Sequence, residues 1–500
     1  MFARARTAQV VLLLFVLLAL GRTSAQAATW YVGTSGVDEA ACGSSAAPCA
    51  TVNYVLDNKV DVGDAIRVLP GTYTNQGDIT LSAPTHRNVM LMGDDPDNRP
   101  QLLNTLIFVN KGASGVTISH LRVRGDVAPF DDYVGVINVS DYPTVVDHNE
   151  IWNGGQGVMI RTSQQVTVSN NDIHTLGLPD TDFDAMCVLV VNWENDPIPA
   201  GGYAQAIRIT GNAMHECGGD GLQENSLSEA GIQFNYLIIE HNQIYDNQEQ
   251  GIDTKGTDDL RIYHNDIHGN GFGGISNNRA YESTERWEIF NNTIHGHIDY
   301  AIFDQGGGSS WKVWSNVIYN NVTSPEFSYC AVMLPGDSDT VFYGNTVVNN
   351  TDTSGAAQTC GLADMGSGAN VINNLFYNNG TGGNDRGNIR NLSGQDGGAP
   401  SHNYVYPTGC SDGQCKTGLN FTSTCLQPDN CPSFASLITQ DFHLTAGSPA
   451  IDVGKPLAAQ FVVDLDGAAR GQEDGWDAGA YEVQAAAPAR SSPVNVMLLR

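Results

Sequence analysis

The feature that most constrains the fold is a short phrase that recurs nine times around an asparagine. Each copy is a β-branched run followed by Asn, a variable residue and an apolar residue, as in VDHNEI and IYHNDI. A period of about 20 to 30 residues with short strands is typical of stacked coils, whereas helical repeats need long 3.6-residue stripes that are absent. The recurring residues are Asn149, Asn171, Asn212, Asn242, Asn265, Asn292, Asn316, Asn345 and Asn374.

A second phrase, a small residue followed by an apolar one, comes about eight positions after most of these asparagines. Each coil therefore has at least two strands, separated by Asn and Gly corners that tolerate the left-handed conformation. Stacked Asn side chains can hydrogen-bond along the pile, so we interpret the Asn row as structural. The pattern predicts a parallel β-helix whose equivalent strands pair about 4.8 Å apart. The second phrases are Gly157-Val158, Gly221-Leu222, Gly251-Ile252, Gly274-Ile275 and Ala301-Ile302.

The charge balance restricts the partners. Among 500 residues, 24 Lys and Arg stand against 54 Asp and Glu, which gives a formal net charge of −30. A field of this sign disfavours nucleic acid and anionic membranes, and we expect neither partner. Residues 1–27 read as an export signal with a basic start, a short apolar run and an Ala-Gln-Ala cleavage site. We therefore expect a secreted or periplasmic monomer with no membrane span.

The ten cysteines all follow the predicted signal and favour disulfides in an oxidising compartment. Zinc would favour pairs two residues apart, and no such pair occurs. Three pairings follow as a hypothesis from the spacing, and a final group of four stays unassigned. The pairs are Cys42 with Cys49, Cys187 with Cys217 and Cys330 with Cys360, and the group is Cys410, Cys415, Cys425 and Cys431.

Two terminal segments resemble those of a known superfamily. TWYVGTSG, PCATVNYVL and VGDAIRVLPGTYT, within residues 29–74, are similar to the N-terminal part of secreted bacterial right-handed β-helix proteins of the pectin-lyase-like superfamily. Residues 441–482, from DFHLTAGSPAIDVG to WDAGAYE, resemble a C-terminal segment found in such exported proteins. The resemblance implies an all-β, right-handed parallel β-helix. We divide it into an N-terminal cap and first coil (28–75), a β-helix (76–400), a Cys-rich loop region (401–440), a C-terminal capping segment (441–484) and a flexible tail (485–500).

A polar strip emerges when the second strands are aligned on their Gly or Ala. The next residue is apolar in every copy and should face inward, so positions two and four face outward. Position two holds Met159, Gln223, Asp253, Ser276 and Phe303, and position four holds Arg161, Asn225, Lys255, Asn278 and Gln305. The acids flanking this strip are Glu216, Asp220, Glu224, Glu249, Asp258 and Asp259.

The segment GIDTKGTDD resembles the lysine-bearing strand of β-helix polysaccharide lyases of the alginate lyase and chondroitinase-B-like kind. The resemblance implies Lys255 as the base and Arg279 as the assisting residue. It also implies Ca²⁺ held by Asn225, Asp253, Glu224 and Glu249. Asn278, Arg161, Gln223 and Tyr281 would bind an acidic, uronate-containing polysaccharide.

The lyase chemistry is β-elimination, in which a base removes a weakly acidic proton beside a carboxylate and a cation stabilises the developing charge. The base must be neutral, so Asp253 must be engaged by metal and not paired with Lys255. The competing interpretation is a surface ion pair among Asp253, Lys255 and Asp258.

Two other functions stay open. A glycoside hydrolase would use two carboxyl groups from Asp220, Asp253, Asp258 and Asp259. A non-catalytic glycan-binding or cell-surface protein would use aromatic residues near the strip, which are more often packed between coils. These residues are Tyr281, Trp287, Tyr300 and Trp311.

Overall fold

A computed structural model shows a right-handed parallel β-helix, with one short α-helix among the residues that it describes. No helix within the described ranges is long and apolar enough to cross a membrane. Most of the predicted signal, Arg279, Tyr281 and the last four cysteines lie outside the described residues. The structure describes residues 27–125, 134–161, 164–177, 184–192, 206–226, 237–278, 284–323, 330–352, 360–364, 368–379, 389–390, 401–406, 420–424, 433–471 and 475–483.

Each full coil has three strands, one more than the minimum that the two sequence phrases required. The first ladder precedes the recurring Asn, the second follows it, and both belong to one 27-stranded sheet. The third ladder, a 12-stranded sheet, holds the Gly-led phrase. Apolar side chains such as Ile239, Ile244 and Ile252 fill the interior at no measurable exposure. Long runs of short strands therefore bury one continuous core.

The first ladder, up to the coil in which it merges with the second, comprises Thr29–Val32, Ala65–Val68, Met90–Gly93, Val116–Ser119, Thr144–Asp147, Val166–Ser169, Ile207–Thr210, Leu237–Glu240, Arg261–Tyr263, Glu288–Phe290, Lys312–Trp314, Val341–Tyr343 and Asn370–Ile372. The second comprises Thr72–Tyr73, Gln101–Leu103, Arg122–Arg124, Glu150–Trp152, Asp172–Leu176, Ala213–Cys217, Gln243–Tyr245, Asp266–His268, Thr293–His295, Val317–Tyr319, Thr346–Val348 and Leu375–Tyr377. Ser401–Tyr406 pairs with both, and Asn420–Thr424 pairs with it.

The third ladder comprises Ile79–Leu81, Ile107–Val109, Gly135–Val139, Gln156–Arg161, Val188–Asn192, Leu222–Ser226, Ile252–Thr254, Gly273–Asn277, Tyr300–Asp304, Cys330–Leu334, Cys360–Asp364 and Ile389–Arg390. Short parallel pairs join Thr284–Glu285 to Gly308–Ser309 and Val322–Thr323 to Thr351–Asp352. An antiparallel pair joins Phe434–Ser436 to Asp441–Leu444. The α-helix is Val52–Asn58, and 3₁₀ turns occupy Pro84–His86 and Ala459–Phe461.

The Asn row forms a continuous hydrogen-bonded ladder, which confirms its structural interpretation. The side chain of Asn242 donates to Asn265 Oδ1 at 3.0 Å and to the Ile209 carbonyl at 2.9 Å. The same Oδ1 accepts the backbone N–H of Asn242 at 2.9 Å. Each amide thus satisfies buried backbone groups at a corner of the coil. The ladder extends beyond the sequence phrases to Asn403, which accepts from Asn374.

A second ladder runs five residues after the first and contains one histidine. Asn247 bonds to Asn270, and Asn321 bonds to Asn350 in the same way. Between them His297 Nδ1 accepts the Asn270 N–H at 3.3 Å while its Nε2 lies 3.1 Å from the Ile267 carbonyl. This pattern requires a neutral ring that carries its proton on Nε2. Burial lowers the pKa of His297 to about 3, with the nearby His295 adding to the effect.

The two ends are closed differently. At the N-terminus, Val52–Asn58 begins at Thr51, whose side chain accepts the Tyr54 N–H, and it buries Val55 and Leu56 over the first coil. The C-terminal segment from 433 onward lies along the side of the last coils. There Arg470 is buried and bonds to Ser315 and the Gly479 carbonyl.

Three disulfides match the pairing hypothesis. They join Cys42 to Cys49, Cys187 to Cys217 and Cys330 to Cys360. The two later bonds each link neighbouring coils, since Cys330 and Cys360 are register partners in adjacent strands. Disulfides are typical of oxidising compartments.

We predict that His297→Asn removes part of the acid sensitivity of folding. The pKa of His297 is lower in the folded state than in the unfolded state. Its contribution to the free energy of unfolding is therefore complete above about pH 6.5 and is lost as the pH falls. By pH 4 this loss is on the order of 3 kcal/mol. Urea unfolding at pH 7 and pH 4 should show a smaller pH effect for His297→Asn than for wild type. His297→Ala should be less stable than His297→Asn at both pH values, because the ladder groups next to position 297 lose their hydrogen-bond partners. Equal pH effects on the stability of wild type and His297→Asn would contradict the assignment.

Candidate functional site

A column of glycines turns the chain just before the third ladder. Gly221, Gly251 and Gly274 precede the inward residues Leu222, Ile252 and Ile275. A Cβ atom on these glycines would meet the Cγ2 atom of a core isoleucine at 2.4, 2.6 and 2.7 Å respectively. Two consecutive positions therefore face the core, and strict alternation fails at this point. Asp220 and Gln250, which precede two of these glycines, therefore lie on the same outer face as Gln223 and Asp253, which come two positions after the glycines. We call this face the outer wall.

Asp220 occupies that earlier position and is fully buried. Its Oδ2 accepts from Gln223 Nε2 at 3.0 Å, and its Oδ1 accepts from the backbone N–H of Gln250 at 2.8 Å. Burial raises the pKa of Asp220 well above its ordinary value, and the neighbouring acids Asp253 and Glu249 raise it further. Asp220 therefore holds its proton to a higher pH than an ordinary aspartate does.

Asp253 lies at the centre of the outer wall, in register with Gln223 and Ser276 of the adjacent coils. Its Oδ1 accepts from Ser276 Oγ at 2.6 Å, and its Oδ2 lies 3.4 Å from Lys255 Nζ. Burial raises the pKa of Asp253, whereas Lys255, Ser276 and Asn278 oppose the rise. Asp253 is only 2% exposed, although the alignment placed this strip on the outside. Outward-facing side chains from neighbouring coils pack over it.

The carboxyl group of Glu249, which precedes Gln250, is more accessible than those of Asp220 and Asp253. Burial raises its pKa to about 7, Asp184 and Asp253 add to the rise, and Lys255 opposes it. Gly219 lies in the coil next to Glu249 and accepts a hydrogen bond from its backbone N–H. A Cβ atom on Gly219 would lie 2.2 Å from Asp184 Oδ1. A side chain at this glycine would therefore displace Asp184. Glu249 is half protonated near neutral pH, which suits a group that gives and takes protons.

Tyr300 reaches the outer wall from two coils away because Gly273 leaves room for its ring. A Cβ on Gly273 would meet the tyrosine ring at 2.1 Å. The hydroxyl of Tyr300 accepts from Gln250 Nε2 at 3.1 Å. Burial raises the pKa of Tyr300, so the hydroxyl stays neutral. In the sequence Tyr300 is only one of several aromatic residues near the strip, and the glycine at position 273 was the signal that could have placed its ring.

The structure brings some predicted residues together. Lys255, Asp253, Gln223 and Asn278 share the outer wall within adjacent coils. Asn225 lies in the coil before Lys255, and within the described part of the chain its Oδ1 is buried with no hydrogen-bond partner.

Other predicted residues are separated from this group. Glu224 faces the interior and accepts the backbone N–H groups of Lys255 and Gly256 at 3.1 Å. It cannot share an ion with Asp253, which faces the opposite side of the same sheet. Arg161 lies three coils from Lys255, about 14 Å along the axis. Arg279 and Tyr281 fall outside the described residues.

Several other candidates have structural roles. Asp259 lies 2.7 Å and Asp258 lies 3.4 Å from Arg286, so these carboxylates belong to an ion pair between coils. Trp287 and Trp311 are fully buried and stack with ring centroids 4.2 Å apart. They form part of the core and do not contact a sugar.

The arrangement does not fit the predicted calcium ion. Both oxygens of Asp220 and both of Asp253 already have polar partners. Within the described residues, the only three acidic, His or Cys ligand atoms close enough for one ion belong to Asp38, Cys42 and Cys49. Those two cysteines are joined in a disulfide. The outer wall as folded offers acid–base groups and not a calcium cage.

Comparison with known proteins supports the fold. A family model described as a right handed beta helix region matches residues 105–284. No curated protein sequence matches the chain. Similar solved structures include XylC with xylose (10% identity, TM-score 0.44, covering 71% of this chain and 76% of that one). They also include PfbA, a surface adhesin of Streptococcus pneumoniae (14%, 0.48, 67% and 83%), and the pectate lyase Pel9A (14%, 0.38, 92% and 97%). With TM-scores below 0.5 these structures carry no argument about this chain, and the family model is the comparison that supports the fold.

We predict that Glu249→Gln stabilises the protein relative to wild type as the pH rises from 4.5 to 7. The folded pKa of Glu249 is above the unfolded value, so the unfolded state ionises first and wild type loses stability over this range. After allowance for solvent screening the effect is about 1 kcal/mol. Urea unfolding across this range measures it.

Glu150→Gln serves as the matched control of opposite sign. Hydrogen bonds from His174 and Arg122 lower the pKa of Glu150 to about 2. Its stabilising contribution is therefore lost as the pH falls below about 4.5. If Glu249→Gln followed wild type at every pH, the perturbed environment of Glu249 would be refuted.

Proposed function

We propose that this chain, which has the right-handed parallel β-helix fold of the pectin-lyase-like superfamily, hydrolyses glycosidic bonds with carboxyl groups of its outer wall. One observation carries the proposal. Glu249, with a pKa of about 7, is close enough to Asp253 for that carboxyl group to raise its pKa, and Asp253 has Lys255 as its counter-ion. Two carboxyl groups whose surroundings give them different protonation preferences are what glycoside hydrolysis requires.

Glu249 is suited to be the general acid. It must hold a proton at the working pH and deliver it to the oxygen of the leaving sugar, and a pKa near 7 permits both. It is partly exposed, so a glycan lying across the coils can reach it. Asp220 is fully buried and fully hydrogen-bonded, and it is better suited to fixing Gln223 and Gln250 in place.

Asp253 is suited to be the ionised partner. Burial raises the pKa of Asp253, and Lys255, Ser276 and Asn278 act against that rise in favour of the charged form. As a carboxylate it would either attack the anomeric carbon or activate the water that does. Because Asp253 is only 2% exposed, either role requires Lys255 and Ser276 to move aside when substrate binds. The separation of the two carboxyl groups in the complex decides which, and the anomeric configuration of the product reports it.

The electrostatics favour a neutral glycan. Asp184, Asp220, Glu249 and Asp253 influence one another electrostatically, and within the described part of the chain Lys255 is the cation that acts on Glu249 and Asp253. The sequence as a whole carries −30. A uronate would meet repulsion at this wall, and a neutral sugar would not.

The second candidate is the polysaccharide lyase, with Lys255 as base, Arg279 assisting, calcium as cofactor and an acidic polysaccharide as substrate. The position of Lys255 on the outer wall beside Asn278 favours it. The ion pair with Asp253 at 3.4 Å opposes it, because a paired ammonium is not a free base. β-Elimination therefore requires that Asp253 release Lys255.

A single assay separates the functions. The protein is incubated with xylan, mixed-linkage β-glucan, polygalacturonate, alginate and chondroitin sulfate, with calcium or with EDTA. New reducing ends on a neutral glycan, without absorbance from unsaturated sugars, support hydrolysis. A rise in that absorbance on an acidic glycan supports the lyase and overturns the hydrolase. If neither signal appears on any glycan, the chain acts as a non-catalytic binding protein.

We predict that Glu249→Gln and Asp253→Asn each lower kcat by about 10² to 10⁴, with little change in KM. Glu249→Gln should also remove the loss of activity above about pH 7. Asp259→Asn is the matched control, because Asp259 pairs with Arg286 outside the catalytic group and should keep wild-type activity. Lys255→Ala should reduce hydrolysis most strongly at low pH, where Asp253 would then protonate. Full activity in Glu249→Gln would refute its role as the acid.

A further inference from the structure

An exposed aromatic residue continues the column of Glu249 into the next coil. The backbone N–H of Phe272 donates to the Glu249 carbonyl at 3.0 Å, and the Phe272 carbonyl accepts from Asp299 at 2.8 Å. Phe272 is therefore one coil, about 4.8 Å, from the proposed acid. Its side chain is 40% exposed, and Ile298 in the following coil is 57% exposed.

The local sequence holds this phenylalanine on a fixed backbone. Gly271 precedes it, and a Cβ there would lie 2.1 Å from the Gln248 carbonyl. Gly273 follows it and makes room for the Tyr300 ring. Neither neighbour of Phe272 has room for a side chain. The glycine at 273, which follows Phe272, is also the one that leaves room for the Tyr300 ring.

We infer that Phe272, together with Ile298, forms a subsite that binds a neutral pyranose ring of the substrate next to the bond that is cleaved. This inference rests on the proposed glycan-cleaving function and adds a substrate class to it. An aromatic face packs against the C–H groups of a sugar ring, as glycan pockets combine apolar surface with a few polar groups. Among the described residues, Glu249 and Asp299 are the acidic groups that hydrogen-bond to the Phe272 backbone from the adjacent coils, and their ionised forms disfavour a uronate ring here.

The test compares Phe272→Ala, Phe272→Trp and a distant control, Ile438→Ala, which removes an apolar side chain that is 94% exposed on the C-terminal segment. On the neutral glycan that wild type cleaves best, Phe272→Ala should raise KM about tenfold with kcat nearly unchanged. Phe272→Trp should stay within about threefold of wild type, and Ile438→Ala should match wild type. An unchanged KM in Phe272→Ala overturns the subsite.

A binding experiment keeps this inference separate from the catalytic proposal. Affinity electrophoresis in gels containing xylan, mixed-linkage β-glucan or polygalacturonate measures retardation without turnover. Retardation by a neutral glycan that is lost in Phe272→Ala supports the subsite even if no glycan is cleaved. Retardation by polygalacturonate alone overturns the neutral-sugar assignment, and activity with no dependence on Phe272 overturns the subsite while leaving hydrolysis intact.

Discussion

The structure depends on amide side chains that hydrogen-bond from coil to coil through the interior. At each corner the backbone leaves the strand pairing, and its N–H and C=O groups are buried. Asn265 resolves this at one corner by accepting from Asn242, donating to the Ile239 carbonyl and donating to Asn292. Since every coil repeats the arrangement, the ladder fixes how coils stack as well as how each coil turns. That register is what makes residues 20 to 30 apart in sequence into neighbours on the outer wall.

The outer wall forms because side chains stop alternating between the two faces of the sheet at the start of the third ladder. Where Gly221, Gly251 and Gly274 turn inward, the preceding residue comes round to the outside. Asp220 joins Asp253 and Lys255 on one surface for this reason, and Tyr300 reaches the same surface over Gly273. A regular strand would have placed Asp220 on the opposite face. The candidate site thus lies where the coil geometry is least regular.

The sequence predicted the parts that repeat. The Asn row, the stacked coils, three disulfides and the alignment of Gln223, Asp253 and Ser276 all follow from a period that can be read directly. The second ladder was also readable, because its members come five residues after the first, but His297 interrupts it. The burial of Glu224 beside the corner after Thr254, and the reach of Tyr300 over Gly273, depend on the turn and on packing. Neither the burial of Glu224 nor the position of the Tyr300 ring follows from a repeat in the sequence. Both features change which side chains lie close enough to act together.

The ion pairing of the outer wall bears on its proposed function. Several surface acids elsewhere pair with arginines in the adjacent coil, for example Glu150 with Arg122, Glu240 with Arg208 and Asp259 with Arg286. On the outer wall Asp220, Glu249 and Asp253 all have raised pKa values, and a lysine is the cation beside them. Such crowding destabilises the fold, and the repetitive coils tolerate it because the Asn ladders hold the backbone in register. Carboxyl groups with raised pKa values gathered beside one lysine are what the proposed acid–base chemistry would use.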